Sequence, residues 1–136
     1  MNHPQHQQLE DLAWAIDSSS GFSLILAHCN HPSGLVQELQ QLTSAKIRVI
    51  HLKESTERLY ETIKTELADE QPAALMILGL ESVRELDNLL IAANQVREEF
   101  RKNFPFPVVL WVNDEVLSKL VRLAPDLESW GTVSEL

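Results

Sequence analysis

A chain of 136 residues, 44% apolar and 23% charged, has the size of one domain of about 100–150 residues and buries a core without covalent staples. Its 11 basic and 20 acidic side chains leave a net charge of −9, which opposes non-specific capture of nucleic acid or of an anionic membrane, and its single cysteine excludes an internal disulfide or an all-cysteine metal site. No apolar run reaches the roughly 18 residues of a membrane span, and the polar start MNHPQHQQLEDL lacks the apolar stretch of a secretory signal, so the sequence predicts a cytoplasmic domain.

In chain order, a first helix is predicted at about Gln7–Asp17, with Leu9, Leu12, Ala13 and Ile16 on one face. Trp14 on that helix either packs it onto the rest of the chain or exposes a contact patch. The loop Ser18-Ser19-Ser20-Gly21 sets this leading segment, residues 1–20, apart from a single domain over 21–136. A strand follows at Phe22–Cys29 (FSLILAHC), then a helix with Leu35, Leu39 and Leu42 on one face behind Ser33 as N-cap. The next strand, Ile47–Leu52, carries Arg48 and His51 and belongs near a sheet edge. Leu59, Ile63 and Leu67 mark a helix beginning near Ser55 or Thr56. Ala73–Leu80 (AALMILGL) is a third strand, and Ser82-x-x-Glu85 has the spacing of a capping box. Behind it, Leu86, Leu89, Leu90, Ala93, Val96 and Phe100 predict one long helix. Strand Pro107–Asn113 (PVVLWVN) places Trp111 in the core. Asn113 or Asp114 then caps a helix carrying Val116, Leu117, Leu120 and Val121, limited by Pro125, and TVSEL after Gly131 predicts a short fifth strand.

The first, third and fourth strands are almost continuously apolar, as strands covered on both faces are. Strict alternation of strands and helices predicts an α/β fold. The expected architecture is a three-layer αβα domain with a mostly parallel sheet of four or five strands and a P-loop-NTPase-like topology.

Ligands of such sheets bind outside the carboxyl ends of the strands, so the loops His28–Ser33, Lys53–Ser55, Gly79–Ser82 and Asn113–Asp114 are where chemistry is expected. A phosphate loop requires G-x-x-x-x-G-K-[ST], whose amides wrap phosphate, whose lysine neutralises it and whose hydroxyl holds Mg²⁺. In the same frame this chain has Cys29, Gly34, Leu35 and Val36. The third strand ends in Leu78-Gly79-Leu80-Glu81, without the metal-binding aspartate of such domains. A G-x-G-x-x-G fingerprint is absent, and the places where a phosphoacceptor receiver carries its acids and lysine hold His28, Cys29, Gly79 and Asn113. His28, Cys29, His31 and His51 are metal-ligand types at strand ends, but neighbours on a strand point to opposite faces and no metal-binding spacing exists. No metal site is therefore expected. Cys29 as a nucleophile with a histidine base is a weaker reading than Cys29 as a small buried apolar residue.

The segment Phe104–Leu136, with F-P-x-P-V-V-L-W, the N-D cap, L-x-x-L-x-x-x-A-P-D and S-W-G-x-x-x-E-L, resembles a stretch of bacterial STAND-type signalling proteins, which carry an AAA-like P-loop domain beside repeat arrays. GFSLILAHCN and LMILGLES are similar, more loosely, to the first and third strands of that domain. The resemblance implies a sheet order of 5-1-4-3-2 and a place in a larger signalling or assembly protein, and it sets Asn113 where an AAA sensor residue stands. The replacements at Cys29, Leu35, Val36 and Gly79 oppose nucleotide hydrolysis.

The expectation is thus a non-catalytic interaction module with no cofactor, which binds a protein partner or a second copy of itself, with Trp14, Arg48 and His51 as candidate contact residues. The alternative is a nucleotide-binding domain with an atypical phosphate loop, for which His31, Ser33, Gly34 and Asn113 are the candidate ligand contacts.

Overall fold

The computed structural model describes residues 4–136. Met1–His3, part of the expected leading segment, lie outside the described residues. The elements are α1 (Pro4–Ser18), β1 (Ser23–His28), α2 (Leu35–Leu42), β2 (Ile47–His51), α3 (Leu59–Leu67), β3 (Ala74–Leu78), α4 (Leu86–Gln95), α5 (Arg97–Asn103), β4 (Pro107–Val112), α6 (Asp114–Leu123), α7 (Pro125–Ser129) and β5 (Gly131–Glu135). The five strands form one all-parallel sheet in the order β2-β3-β4-β1-β5. This is the 5-1-4-3-2 order implied above, and the fold is the three-layer α/β arrangement expected from the alternation of elements.

Each face of the sheet has its own core. On one, Leu9, Leu12, Ala13 and Ile16 of α1 and Leu35 and Leu39 of α2 bury against Ile25, Ala27, Met76, Val109 and Trp111. On the other, α3 to α7 cover Leu24, Leu26, Ile77, Val108 and Leu110. Every residue of β3 and β4 is buried, which is why those strands lack the polar alternation of a half-exposed strand. The edge strand β2 is half-buried over Ile47–Val49, and its last residue, His51, is exposed.

Four local expectations are corrected. Ser33 does not cap α2: Leu35 donates its N–H to Pro32 O at 2.9 Å, and the tight turn puts Gly34, at φ 84°, in the N-cap position. Helix α3 begins neither at Ser55 nor at Thr56 but behind Arg58, because the Thr56 hydroxyl accepts from the Lys53 N–H within the preceding loop. The Ser82–Glu85 box does not form; Ser82 lies in a 3-10 turn, Leu80–Ser82, and donates its N–H to Gly79 O. The long helix predicted through Phe100 is two helices that break at Val96, where the Arg97 guanidinium donates to Asn94 O and the Asn94 side chain accepts from Leu127 N of α7.

Candidate functional site

β1 and β4 are neighbours, yet the chain leaves β1 for α2 on one face of the sheet and leaves β4 for α6 on the other. Their carboxyl ends are therefore the topological switch point, where α/β sheets open a crevice for ligands. Here side chains are laced across that crevice. The Asn30 amide donates to Asp114 Oδ2 at 3.1 Å, and its carbonyl accepts from the Asp114 N–H at 3.0 Å. The His28 ring donates through Nε2 to Asp114 Oδ1 at 2.6 Å and through Nδ1 to Glu135 Oε2 at 2.7 Å. Leu136 N then donates to His28 O, and the Gln5 side chain of α1 donates to Leu136 O. The ends of β4, β1 and β5 and the start of α1 are thereby tied together.

Both ring nitrogens of His28 face carboxylate oxygens, which only accept, so the doubly protonated imidazolium is the form that satisfies both bonds. Partial burial pulls the His28 pKa down, but the bonds to Asp114 and Glu135 and their charges outweigh it, and the net pKa is raised above the ordinary 6.5. Asp114 is lowered below its ordinary 3.8, first by the His28 hydrogen bond and then by that of Asn30. A raised histidine stabilises the fold below its unfolded pKa and stops doing so as pH climbs through the folded one. A depressed aspartate stabilises above its unfolded pKa and stops as pH falls through the folded one. The lacing is therefore strongest between about pH 4 and 6.5, and slackens as pH climbs through the raised His28 pKa or falls through the lowered Asp114 one. Titration of the His28 ring by NMR should give a midpoint above 6.5, moving down in Asp114→Asn; a wild-type midpoint at or below the ordinary value would contradict the double bond.

On the other side of the lacing, the cleft between Cys29, Pro32, Leu78, Glu81 and Trp111 holds about 30 Å³. That is the space of one water, whereas the lacing residues His28, Asn30, Asp114 and Glu135, with Gln5, His31 and Leu136, line an open recess of about 300 Å³, at the lower end of the roughly 300–1,000 Å³ of small-molecule sites. Leu35, at the phosphate-loop lysine position, is buried in the α1–α2 core, and Val36 is packed against it. Gly79, at the aspartate position, has φ 92°, and a Cβ there would lie 3.0 Å from Leu52 O. Each departure from the phosphate-binding pattern thus has a structural use.

Among the residues singled out from sequence, Ser33, Gly34 and His31 are exposed in the loop after β1. Asn113 caps α6, its side chain accepting from Val116 N at 2.8 Å, so that oxygen is committed to the helix. His28, Cys29 and His51 do not converge: β2 lies three strand spacings, roughly 14 Å, from β1, and Cys29 is buried on the α1–α2 side. Among the described residues no group of three or more histidine, cysteine, aspartate or glutamate side chains is placed to hold a metal ion. Arg48 lies against α3, 3.6 Å from both Glu66 and Glu70, and is not free to reach a phosphate at β1. Trp14 is 72% exposed on α1, so it does not pack that helix. The contributions of Asp114 and Glu135 to a single site were hidden in the sequence. The one available signal was the order 5-1-4, which sets the ends of β5 and β4 on either side of His28.

No family model matches the chain, and no curated protein or solved structure matches it. No helix among the described residues is long and apolar enough to cross a membrane.

Proposed function

We propose that this chain is a non-catalytic protein-interaction module built on a P-loop-like frame, with a protein partner or a second copy of itself as its ligand. The observation that carries the reading is the lacing of the switch point by Asn30, Asp114, His28 and Glu135. It sets two carboxylates around a single imidazolium where a nucleotide domain offers several cations and free amides, so the local charge stays net negative and a phosphate chain entering there meets repulsion. The fit to a degenerate AAA-like domain of STAND-type signalling proteins, and so to a larger cytoplasmic assembly protein, rests on the segment Phe104–Leu136 and on the strand order. A buried, unpaired Cys29 suits a reducing compartment.

Trp14 is the contact residue that the geometry favours over Arg48 and His51. A large aromatic exposed at 72% is the side-chain type that anchors protein interfaces, whereas Arg48 is held by two glutamates. Trp14→Ala should leave thermal stability within about 0.5 kcal/mol of wild type, as at other exposed sites. A loss of about 3–5 kcal/mol, the range for a buried aromatic, would make Trp14 a packing residue and remove it from the contact surface.

The test of the module reading is a melting curve with millimolar ATP and Mg²⁺. A ligand at 100 times its dissociation constant adds about 2.7 kcal/mol. No shift is expected; a stabilisation that disappears when Mg²⁺ is chelated would replace this reading with a nucleotide-binding one at His31, Ser33 and Gly34.

A further inference from the structure

A second recess lies away from the β1–β4 switch point, along the helical layer that covers the other face of the sheet. It is a groove of about 600 Å³ between the start of α3 and the length of α4. Its apolar part includes Ile91 and Val96, each 39% exposed although the rest of the α4 stripe is buried. Its charged side chains are Glu57, Glu61 and Glu85 against the one cation Arg58.

The acids in the groove differ from most of those around it. Arg48 holds Glu66 and Glu70, Lys119 holds Asp87 and Glu115, Arg84 meets Glu54 and Arg97 meets Asp126. Among the described residues none of Glu57, Glu61 and Glu85 has a cation at ion-pair distance. Glu61 lies in the first turn of α3 and Glu85 at the N-cap position of α4, without a side-chain capping bond, where the helix dipoles favour a negative charge. That accounts for part of their placement, but it does not account for the two apolar side chains left open between them.

We propose that this groove receives a basic amphipathic helix from a protein partner. Its apolar side chains would seat on Ile91 and Val96, and its lysines or arginines would reach Glu57, Glu61 and Glu85. The length agrees: the 10 residues of α4 extend about 15 Å, the span of three helical turns, and three turns present apolar anchors at i, i+3 or i+4, and i+7. A second copy of this chain is disfavoured as occupant through its exposed α1, because Trp14 is flanked there by Glu10, Asp11 and Asp17, which would face the groove acids. The inference deepens the interaction-module reading by naming a partner chemistry. It concerns a different surface from the ends of β1 and β4, so nucleotide binding there would leave it standing.

The probe is a fluorescein-labelled peptide of leucine and lysine, about 14 residues long and patterned as an amphipathic helix, with its leucine–glutamate counterpart as control. Saturable binding of the lysine peptide is expected, with backbone amide shifts clustered at Glu57–Glu61 and Ile91–Val96. The triple variant Glu57→Lys, Glu61→Lys, Glu85→Lys should weaken it about tenfold or more. The triple variant Asp11→Lys, Asp69→Lys, Glu128→Lys, which changes net charge equally, should weaken it by no more than about twofold. The wild-type shift map needs no variant, so misfolding of either triple leaves a decisive readout. No binding at about 1 mM peptide, equal losses in the two triples, shifts centred elsewhere, or equal binding of the glutamate peptide would each overturn the proposal.

Discussion

Trp111→Ala should cost about 3–5 kcal/mol of folding stability, the range for truncating a buried aromatic. The ring is 2% exposed, stands opposite Ala27 of β1 in the sheet register, and donates its Nε1–H to Met76 Sδ at 3.3 Å on the neighbouring strand. Three adjacent strands therefore meet at this one side chain, on the face that only α1 and α2 cover. Domains of this kind hold about 5–15 kcal/mol in total, so the variant stands near the limit of folding. Urea unfolding with an unchanged slope and a lowered midpoint is the expected result. A loss below about 1 kcal/mol would mean that the α1–α2 layer repacks into the space, and that this core is less tightly specified than its geometry indicates.

Gly79→Ala should lose about 2–4 kcal/mol, from two costs acting together. The backbone at φ 92° is one that side chains rarely adopt. The added Cβ would also sit 3.0 Å from Leu52 O and 3.2 Å from Leu52 N. Leu52 cannot retreat cheaply, because its N–H donates to Leu78 O at 2.8 Å, the last bond of the β2–β3 ladder. The same geometry explains why the third strand does not end in an aspartate, since no carboxylate-bearing residue fits this backbone unstrained. Chemical unfolding of the variant checks the figure; a change within about 0.5 kcal/mol would show that the turn relaxes.

Strands were legible because burial on both faces writes itself as apolar runs; FSLILAHC, AALMILGL and PVVLWVN each extend beyond their strand by only one to three residues. β2 was legible as an edge strand through Arg48 and His51, and the cap at Asn113 because its side chain does bond Val116 N. What failed were caps judged by residue type alone. Ser33, Thr56 and Ser82 all carry suitable oxygens, but each sits beside a turn whose own backbone bonds fix the helix start elsewhere. The break at Val96 was invisible because its cause, the Asn94 bond to Leu127, spans 33 residues. The site was legible only in part. Its empty phosphate pattern could be read from Leu35 and Val36, and those positions proved to belong to a helix and its core. Its lacing could not be read, since Asp114 and Glu135 reach His28 across 86 and 107 residues and meet it only through strand order and register.

A backbone amide NMR titration with Mg²⁺ and ATP at about pH 6, where the lacing is at full strength, probes the switch point itself. No saturable movement is expected in the amides of Asn30 to Leu35, Asp114 or Glu135. Saturable shifts confined to those amides would mean that the carboxyl ends of β1 and β4 open to a phosphate chain, and would contradict the account.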